Sequence, residues 1–173
     1  MRILGIDPGL NATGYGVVEM QGSDLCHVAS GTIVVPSTRA LPARLNQLFE
    51  SLREVCERYR PDEVAVENTF LAKNVAVALK LGQAKGVALL VAEQSNLPVL
   101  EYTPTEIKIA VTGYGGAAKE QVQYMVGRLL RLSVEMTTHH ATDALAAAIC
   151  HLHSGAERHA RAFSGGSRRI AHA

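Results

Sequence analysis

The chain has 173 residues, of which 47% are hydrophobic and 19% are charged, and its formal net charge is +1 at pH 7. This composition excludes a disordered chain and predicts a single globular domain with a sizeable core. We recognise no signal peptide and no apolar run long enough to cross a membrane, so the expected location is the cytoplasm. The three cysteines, Cys26, Cys56 and Cys150, are widely spaced and are expected to be reduced thiols rather than disulfides or zinc ligands.

Three strands are predicted at the N-terminus. The apolar run over 2–7 predicts a buried strand that ends on Asp7. Residues 10–13 are predicted to form a turn, followed by strands over 15–18 and 27–35. Because the connections are short and polar, these strands should form an antiparallel meander.

Helices and strands alternate over the rest of the chain. We predict helices over 41–59, 74–95, 104–111, 118–131 and 139–153, and strands over 63–67 and 97–102. This order, with carboxylates at the ends of the first and fourth strands and on the last helix, is that of the RNase H-like fold. The expected architecture is α/β, with a mixed five-stranded sheet, three strands antiparallel and then parallel ones, flanked by helices.

The C-terminus differs in composition from the preceding chain. Residues 1–154 are predicted to be the folded domain, and 155–173 a flexible basic tail that carries several arginines and glycines. Simple solvated disorder is the alternative to a specific role for this tail.

Acidic residues at strand ends indicate a charged site. Asp7 follows a buried strand, where a lone carboxylate is unfavourable unless a cation or hydrogen-bond donor accompanies it. The alternative is an Asx-type turn former. Glu67 ends a second strand, and His140 and Asp143 lie three residues apart, on one face of the predicted helix. Together these four side chains predict an oxygen-rich site for Mg²⁺ or Mn²⁺.

Several sequence motifs resemble those of the RuvC family of Holliday-junction resolvases. They are Gly-Ile-Asp-Pro-Gly at 5–9, Thr-Gly-Tyr-Gly at 13–16, Ala-Lys-Asn at 72–74, Leu-Lys-Leu-Gly-Gln-Ala-Lys-Gly at 79–86 and Ala-Thr-Asp-Ala-Leu-Ala at 141–146. The resemblance covers about residues 2–153. It implies a homodimeric, divalent-metal-dependent DNA endonuclease of recombination and repair. Such an enzyme makes paired symmetric nicks at a four-way junction beside the RuvA–RuvB branch-migration complex.

The resemblance also implies the catalytic and metal-binding residues, which would be Asp7, Glu67, His140 and Asp143. They would hold two cations per subunit for phosphodiester hydrolysis. Most family members have aspartate where this chain has His140, and a subset has histidine. Because imidazole binds Mn²⁺ more readily than Mg²⁺, we expect a preference for Mn²⁺ and greater sensitivity to pH. His139 is the alternative ligand, but its spacing from Asp143 fits less well.

The expected DNA contacts are less specific. Phe70 follows Glu67 by three residues and has the position of a family aromatic that stacks on an unpaired base, although it could instead cap the core. Five lysines lie beside the predicted site elements and are candidate phosphate contacts: Lys73, Lys80, Lys85, Lys108 and Lys119. A solvated surface charge is the alternative for each. The family places basic residues at the positions of Lys108 and Lys119, so these two are favoured.

The helix predicted over 74–95 carries many small residues, which suit close packing against another element. Its own sheet is one possible partner, and a second subunit is the other. The family resemblance favours a symmetric dimer.

Three other interpretations are weaker. The opening motif also resembles the phosphate-binding turn of actin-like ATPases and sugar kinases, but this chain is short and lacks their second glycine-rich loop. YqgF-type nucleases share the fold but lack the motif at 79–86. A DNA-binding module without activity is contradicted by the intact acidic residues.

Overall fold

A computed structural model describes residues 1–68, 75–132 and 138–164, the side chains of 156–164 excepted. The described elements, in chain order, are β1 (Arg2–Asp7), β2 (Ala12–Gln21), β3 (Asp24–Val34), α1 (Leu41–Tyr59), β4 (Glu63–Glu67), α2 (Val75–Gln94), β5 (Val99–Tyr102), α3 (Pro104–Thr112), α4 (Lys119–Leu130) and α5 (His139–Ser164).

The strands form one sheet in the order β3-β2-β1-β4-β5. β1, β2 and β3 pair antiparallel, whereas β4 pairs parallel with both β1 and β5. The two faces of the sheet bury separate apolar clusters, one under α3, α4 and α5 and the other under α1 and α2. The predicted RNase H-like architecture is therefore confirmed.

β2 and β3, which form a hairpin, are longer than predicted. β2 begins at Ala12, so half of the predicted turn at 10–13 belongs to the strand. The chain reverses at Gly22, whose φ of 63° suits glycine in a tight hairpin turn. Charged and polar residues lie at this end of β2 and β3, so the alternation of apolar residues did not predict the full length of the strands.

α5 is also longer than predicted. Its backbone continues to Ser164, so Gly155, the predicted start of the tail, lies inside a helix. The division of the chain at residue 155 stays a prediction. Residues 165–173 lie outside the described residues.

One expectation about apolar runs was wrong. Within the described residues, the helix Val75–Gln94 is long and apolar enough to cross a membrane by length and composition alone. Ala84, Ala88 and Val91 of this helix are buried in the core against the sheet, and Val75 and Leu79 are exposed. Length and composition are weak evidence for a membrane span, because helices of soluble proteins meet the same criteria.

Candidate active site

Two carboxylates meet at one edge of the sheet because β1 and β4 are parallel. Their register pairs Ile6 with Val66, so Asp7 lies beside Glu67 at the carboxyl ends of the strands. Side chains alternate along a strand, so Asp7 shares a face with Gly5, and Glu67 with Ala65. This is the face that α5 covers. Both carboxylates are therefore directed toward the helix that carries His140 and Asp143.

Glycines allow α5 to lie unusually close to the sheet. A Cβ atom on Gly5 would come within 1.9 Å of the carbonyl oxygen of Ala144, and one on Gly14 within 1.9 Å of the carbonyl oxygen of His140. Any larger residue would push the helix away from the strand ends. The glycines of the first two motifs therefore set the height of α5 above Asp7.

A buried histidine sets the position of α5 along β4. The His151 side chain is 1% exposed, and its Nε2 lies 2.8 Å from Glu63 Oε2. Its Nδ1 lies 3.1 Å from the hydroxyl of Tyr102. Eight helical residues and four strand residues both span about 12–13 Å, so a helix held at Glu63 brings Asp143 to the level of Glu67. This role of His151 is not apparent from the sequence, because no local pattern marks it.

The structure brings the predicted site residues into two hydrogen-bonded pairs. His140 Nδ1 lies 2.8 Å from Asp7 Oδ2 and donates to it. Lys119 Nζ, on α4, donates to Asp143 Oδ2 at 2.7 Å. The side chains of Asp7 and Asp143 are 19% and 21% exposed, so both carboxylates remain accessible from solvent.

The electrostatics show that the three carboxylates act on one another. Burial, followed by the charges of Asp7 and Asp143, raises the pKa of Glu67 to about 7. Burial also raises the pKa of Asp7, against the hydrogen bond from His140. For Lys119, burial opposes the charge, but Asp143 and the other two carboxylates outweigh it and raise the pKa. The site is thus an acidic cluster with one ammonium group among its members.

These residues fit a divalent cation by their chemistry. Carboxylate oxygens with one imidazole are suitable ligands for Mg²⁺ or Mn²⁺, and a cation would counteract the burial and the neighbouring carboxylate charges that raise the pKa of Glu67. Within the described part of the chain, however, no three His, Cys, Asp or Glu side chains are already arranged to hold a metal. The pairs of Asp143 with Lys119 and of Asp7 with His140 each use one carboxylate oxygen, Oδ2 in both residues, so neither bond by itself prevents the carboxylate from binding a cation.

His139 is directed away from this cluster. Its Nδ1 accepts a hydrogen bond from the side-chain amide of Gln123 on α4. Thr138, just before α5, accepts from the backbone amide of Ala141 and hydrogen-bonds Thr32 at 2.5 Å, which anchors the start of the helix. His140 is therefore the better placed of the two histidines.

A cleft of about 240 Å³ opens beside the acidic cluster. It is lined by Glu67, Pro104, Ile107, Lys108, Lys119, Val122, Asp143 and Ala146. Lys108 lies on α3, whose start is stabilised by a capping box between Thr103 and Glu106. The favoured lysines, Lys108 and Lys119, thus share one cleft with two of the predicted catalytic carboxylates.

The model of the family "Crossover junction endodeoxyribonuclease RuvC" matches residues 3–151. The chain belongs to the RuvC family. It is 54% identical over 154 residues to the RuvC of Pelobacter propionicus, covering 89% of this chain and 87% of that one. It is 52% identical over 154 residues to the RuvC of Geobacter sulfurreducens, covering 89% and 93%. The structure of Thermus thermophilus RuvC in complex with a Holliday junction substrate superimposes with a TM-score of 0.87 at 33% identity, covering 91% of this chain and 96% of that one.

As a RuvC protein, the chain is a Holliday junction resolvase, a crossover junction endodeoxyribonuclease of DNA recombination and repair that depends on divalent metal. The structure places the remaining predicted residues as follows. Lys80 is exposed on α2, Lys85 is paired with Glu101, and Phe70 and Lys73 lie outside the described residues. Asn68 and Glu101, which no sequence motif marks, are the hydrogen-bond partners of Lys85.

Proposed function

We propose that this resolvase makes paired symmetric nicks, with Asp7, Glu67, His140 and Asp143 holding two divalent cations per subunit. The observation that carries this proposal is the meeting of three carboxylates and His140 at one edge of the sheet, beside a cleft with two lysines. When bound, the cations supply an activated water and stabilise the leaving oxygen.

The side chains of the acidic cluster and the cleft have separate roles in this proposal. The three carboxylates supply the negative charge that selects cations, and Lys119 supplies positive charge at the same place. Lys108 lines the same cleft and is suited to a phosphate beside the one that is cut. His140 orients Asp7 through its hydrogen bond, and in the neutral ring Nε2 keeps a lone pair for a metal.

The test of this function compares a synthetic four-way junction with linear duplex of the same sequence. We expect nicks at symmetric positions in two strands of like polarity, on the junction alone and only with Mg²⁺ or Mn²⁺ present. Equal cutting of the linear duplex would indicate a general nuclease, and cutting in chelator would contradict the metal site.

We propose that this chain belongs to the subset of RuvC proteins with histidine in place of one catalytic aspartate, at the position of His140. Replacing an anionic oxygen donor by a neutral nitrogen favours Mn²⁺, so cleavage should be at least several-fold faster in Mn²⁺ than in Mg²⁺ at equal concentration. His140→Asp should shift the ratio of the two rates toward Mg²⁺. Equal rates with both metals over pH 6–8, in both proteins, would contradict the role of His140.

We propose phosphate contacts for Lys73, Lys80, Lys108 and Lys119, and base stacking for Phe70. Lys108→Ala should lower the slope of log affinity against log salt concentration by about 0.9, because one phosphate contact is lost. Binding is measured with a labelled junction at several salt concentrations. Arg53→Ala is the control, because Arg53 on α1 already pairs with Glu50 and Glu57. An unchanged slope in Lys108→Ala would remove this residue from the interface.

We also propose a homodimer that forms through the exposed side of α2. Val75 and Leu79 are 77% and 63% exposed, and a Cβ atom on Gly82 or Gly86 would meet nothing within 4 Å. This apolar strip with two glycines is suited to close contact with a second α2 helix.

Leu79→Glu should convert the dimer to a monomer without unfolding it, because Leu79 is exposed within the subunit. Sedimentation gives the mass, and circular dichroism the fold. Ile109→Glu is a matched control, since Ile109 is a 51% exposed aliphatic residue on α3. A Leu79→Glu protein that stays dimeric would place the interface elsewhere.

We infer that the enzyme works in the cytoplasm, where its junction substrates arise, and that it acts beside the RuvA–RuvB branch-migration complex. Both inferences rest on membership of the family. Pull-down of purified RuvA and RuvB on a junction, with and without this protein, tests the second.

A further inference from the structure

Three polar side chains form a closed ring of hydrogen bonds beyond the end of β4. Lys85 Nζ on α2 donates to Glu101 Oε2 on β5 at 2.6 Å and to Asn68 Oδ1 at 3.0 Å. Asn68 Nδ2 closes the ring by donating to the same Glu101 oxygen at 2.6 Å. We refer to Asn68, Lys85 and Glu101 as the strand-end triad.

The strand-end triad lies next to a catalytic carboxylate. Asn68 directly follows Glu67, and its backbone amide donates to the carbonyl of Tyr102 at 2.8 Å, so the pairing of β4 with β5 continues through it. Segment 69–74, which carries Phe70 and Lys73, begins at the next residue. The triad therefore holds the end of β4, directly before the segment of sequence that carries the proposed DNA contacts.

The charge of Lys85 is already matched. The side chain of Lys85 is 24% exposed and that of Glu101 is 34% exposed. The ammonium group of Lys85 donates two hydrogen bonds within the triad. Lys80 on the same helix is exposed, and the side chain of Lys119, although paired with Asp143, is 54% exposed, so both are more accessible to a phosphate than Lys85.

We propose that Lys85 is a positioning residue rather than a phosphate contact: through Asn68 and Glu101 it holds the Glu67 strand end in place for cleavage. This rests on the proposed role of Glu67 at the metal site. Displacement of a catalytic group by about 1 Å can cost 100-fold in rate, so loss of the triad should lower the rate of the chemical step.

Two variants break the triad, and each removes one of its two charges. Lys85→Met keeps the apolar stem and removes the positive charge, whereas Glu101→Gln removes the negative one. Both should cleave a saturating bound junction about 10- to 100-fold more slowly in single-turnover experiments. The salt slope of junction binding, measured without divalent metal, should not change in Lys85→Met. Lys85→Arg should recover most of the rate, because it restores the ion pair.

The controls separate positioning from binding and from folding. Lys80→Met on the same helix should change the salt slope, and Arg53→Met should leave the cleavage rate unchanged although it breaks a surface ion pair. All rates are taken well below the melting temperature of each variant. Lys85→Arg recovery separates positioning from a general loss of stability.

Three outcomes would overturn the proposal. One is a salt slope that falls by about 0.9 in Lys85→Met while the bound junction is cut at the normal rate, since this defines a phosphate contact. The second is a normal cleavage rate in both Lys85→Met and Glu101→Gln while Glu67→Gln is inactive. The third is full activity of Glu67→Gln, which would refute the metal-site assignment itself and the positioning role with it.

Discussion

Asp7→Asn is expected to abolish junction cleavage while the protein still binds the junction. The amide oxygen of asparagine can accept the hydrogen bond that His140 donates to Asp7, so the local geometry should survive. The negative charge is lost, and with it a central ligand of the proposed cations. We expect a fall in cleavage rate of at least about 1000-fold, which corresponds to about 4 kcal/mol of transition-state stabilisation.

The measurement is single-turnover cleavage with enzyme in excess, together with junction affinity in the absence of metal. Asp24→Asn serves as the control, because Asp24 is an exposed aspartate at the hairpin end of β3, at the other end of the sheet. Cleavage within tenfold of the wild-type rate would show that Asp7 is not a catalytic residue, and loss of binding would show that its role is not confined to chemistry.

Glu67→Gln is expected to stabilise the metal-free protein at neutral and alkaline pH. The folded protein raises the pKa of Glu67 from 4.5 to about 7, by burial and by the charges of Asp7 and Asp143. Between these values the folded state binds the proton more tightly than the unfolded state does. The free energy of unfolding of the wild type should therefore fall as pH rises from about 4.5 to 7 and then level off.

The glutamine variant cannot lose this proton, so its stability should lack that fall. Above pH 7 the metal-free variant should be more stable than the wild type by on the order of 2 kcal/mol. Denaturant unfolding in chelator at pH 5, 6, 7 and 8 measures the difference, with Glu54→Gln on the exposed side of α1 as the control. Parallel curves for wild type and Glu67→Gln would refute the raised pKa.

Metal should reverse this order of stability. A divalent cation that binds the folded state neutralises the repulsion among the carboxylates, so it should raise the melting temperature of the wild type more than that of Glu67→Gln. This readout does not depend on cleavage. The melting temperature therefore tests the metal site separately from the cleavage reaction. A larger rise in the wild type would show that the acidic cluster lowers the stability of the metal-free protein and serves metal binding.

The predicted site residues could be named from the sequence where the signal is local. Strand-ending carboxylates and a His-x-x-Asp spacing on a helix are visible in short windows, and Asp7 and His140 do meet in the structure. The pairing of Lys119 with Asp143 was missed, although both residues were named. A short stretch of sequence does not indicate which of several acidic residues will pair with a given lysine in the folded protein.

Lys85 shows the same limit more sharply. Its place beside the predicted site elements made it a candidate phosphate contact, and the structure pairs it with Glu101, which lies 16 residues away and on a different element. Burial and partner are properties of the assembled fold, so composition and spacing could not distinguish a phosphate contact from an internal ion pair.

The order of strands and helices, the family and the acidic residues follow from the amino-acid sequence, because apolar periodicity and short motifs are local properties of the chain. The geometry of the site does not. It depends on contacts between distant residues: α5 against Gly5 and Gly14, and His151 against Glu63. Only close packing in three dimensions decides these contacts, because each requires two surfaces that are far apart in sequence to match in shape and charge.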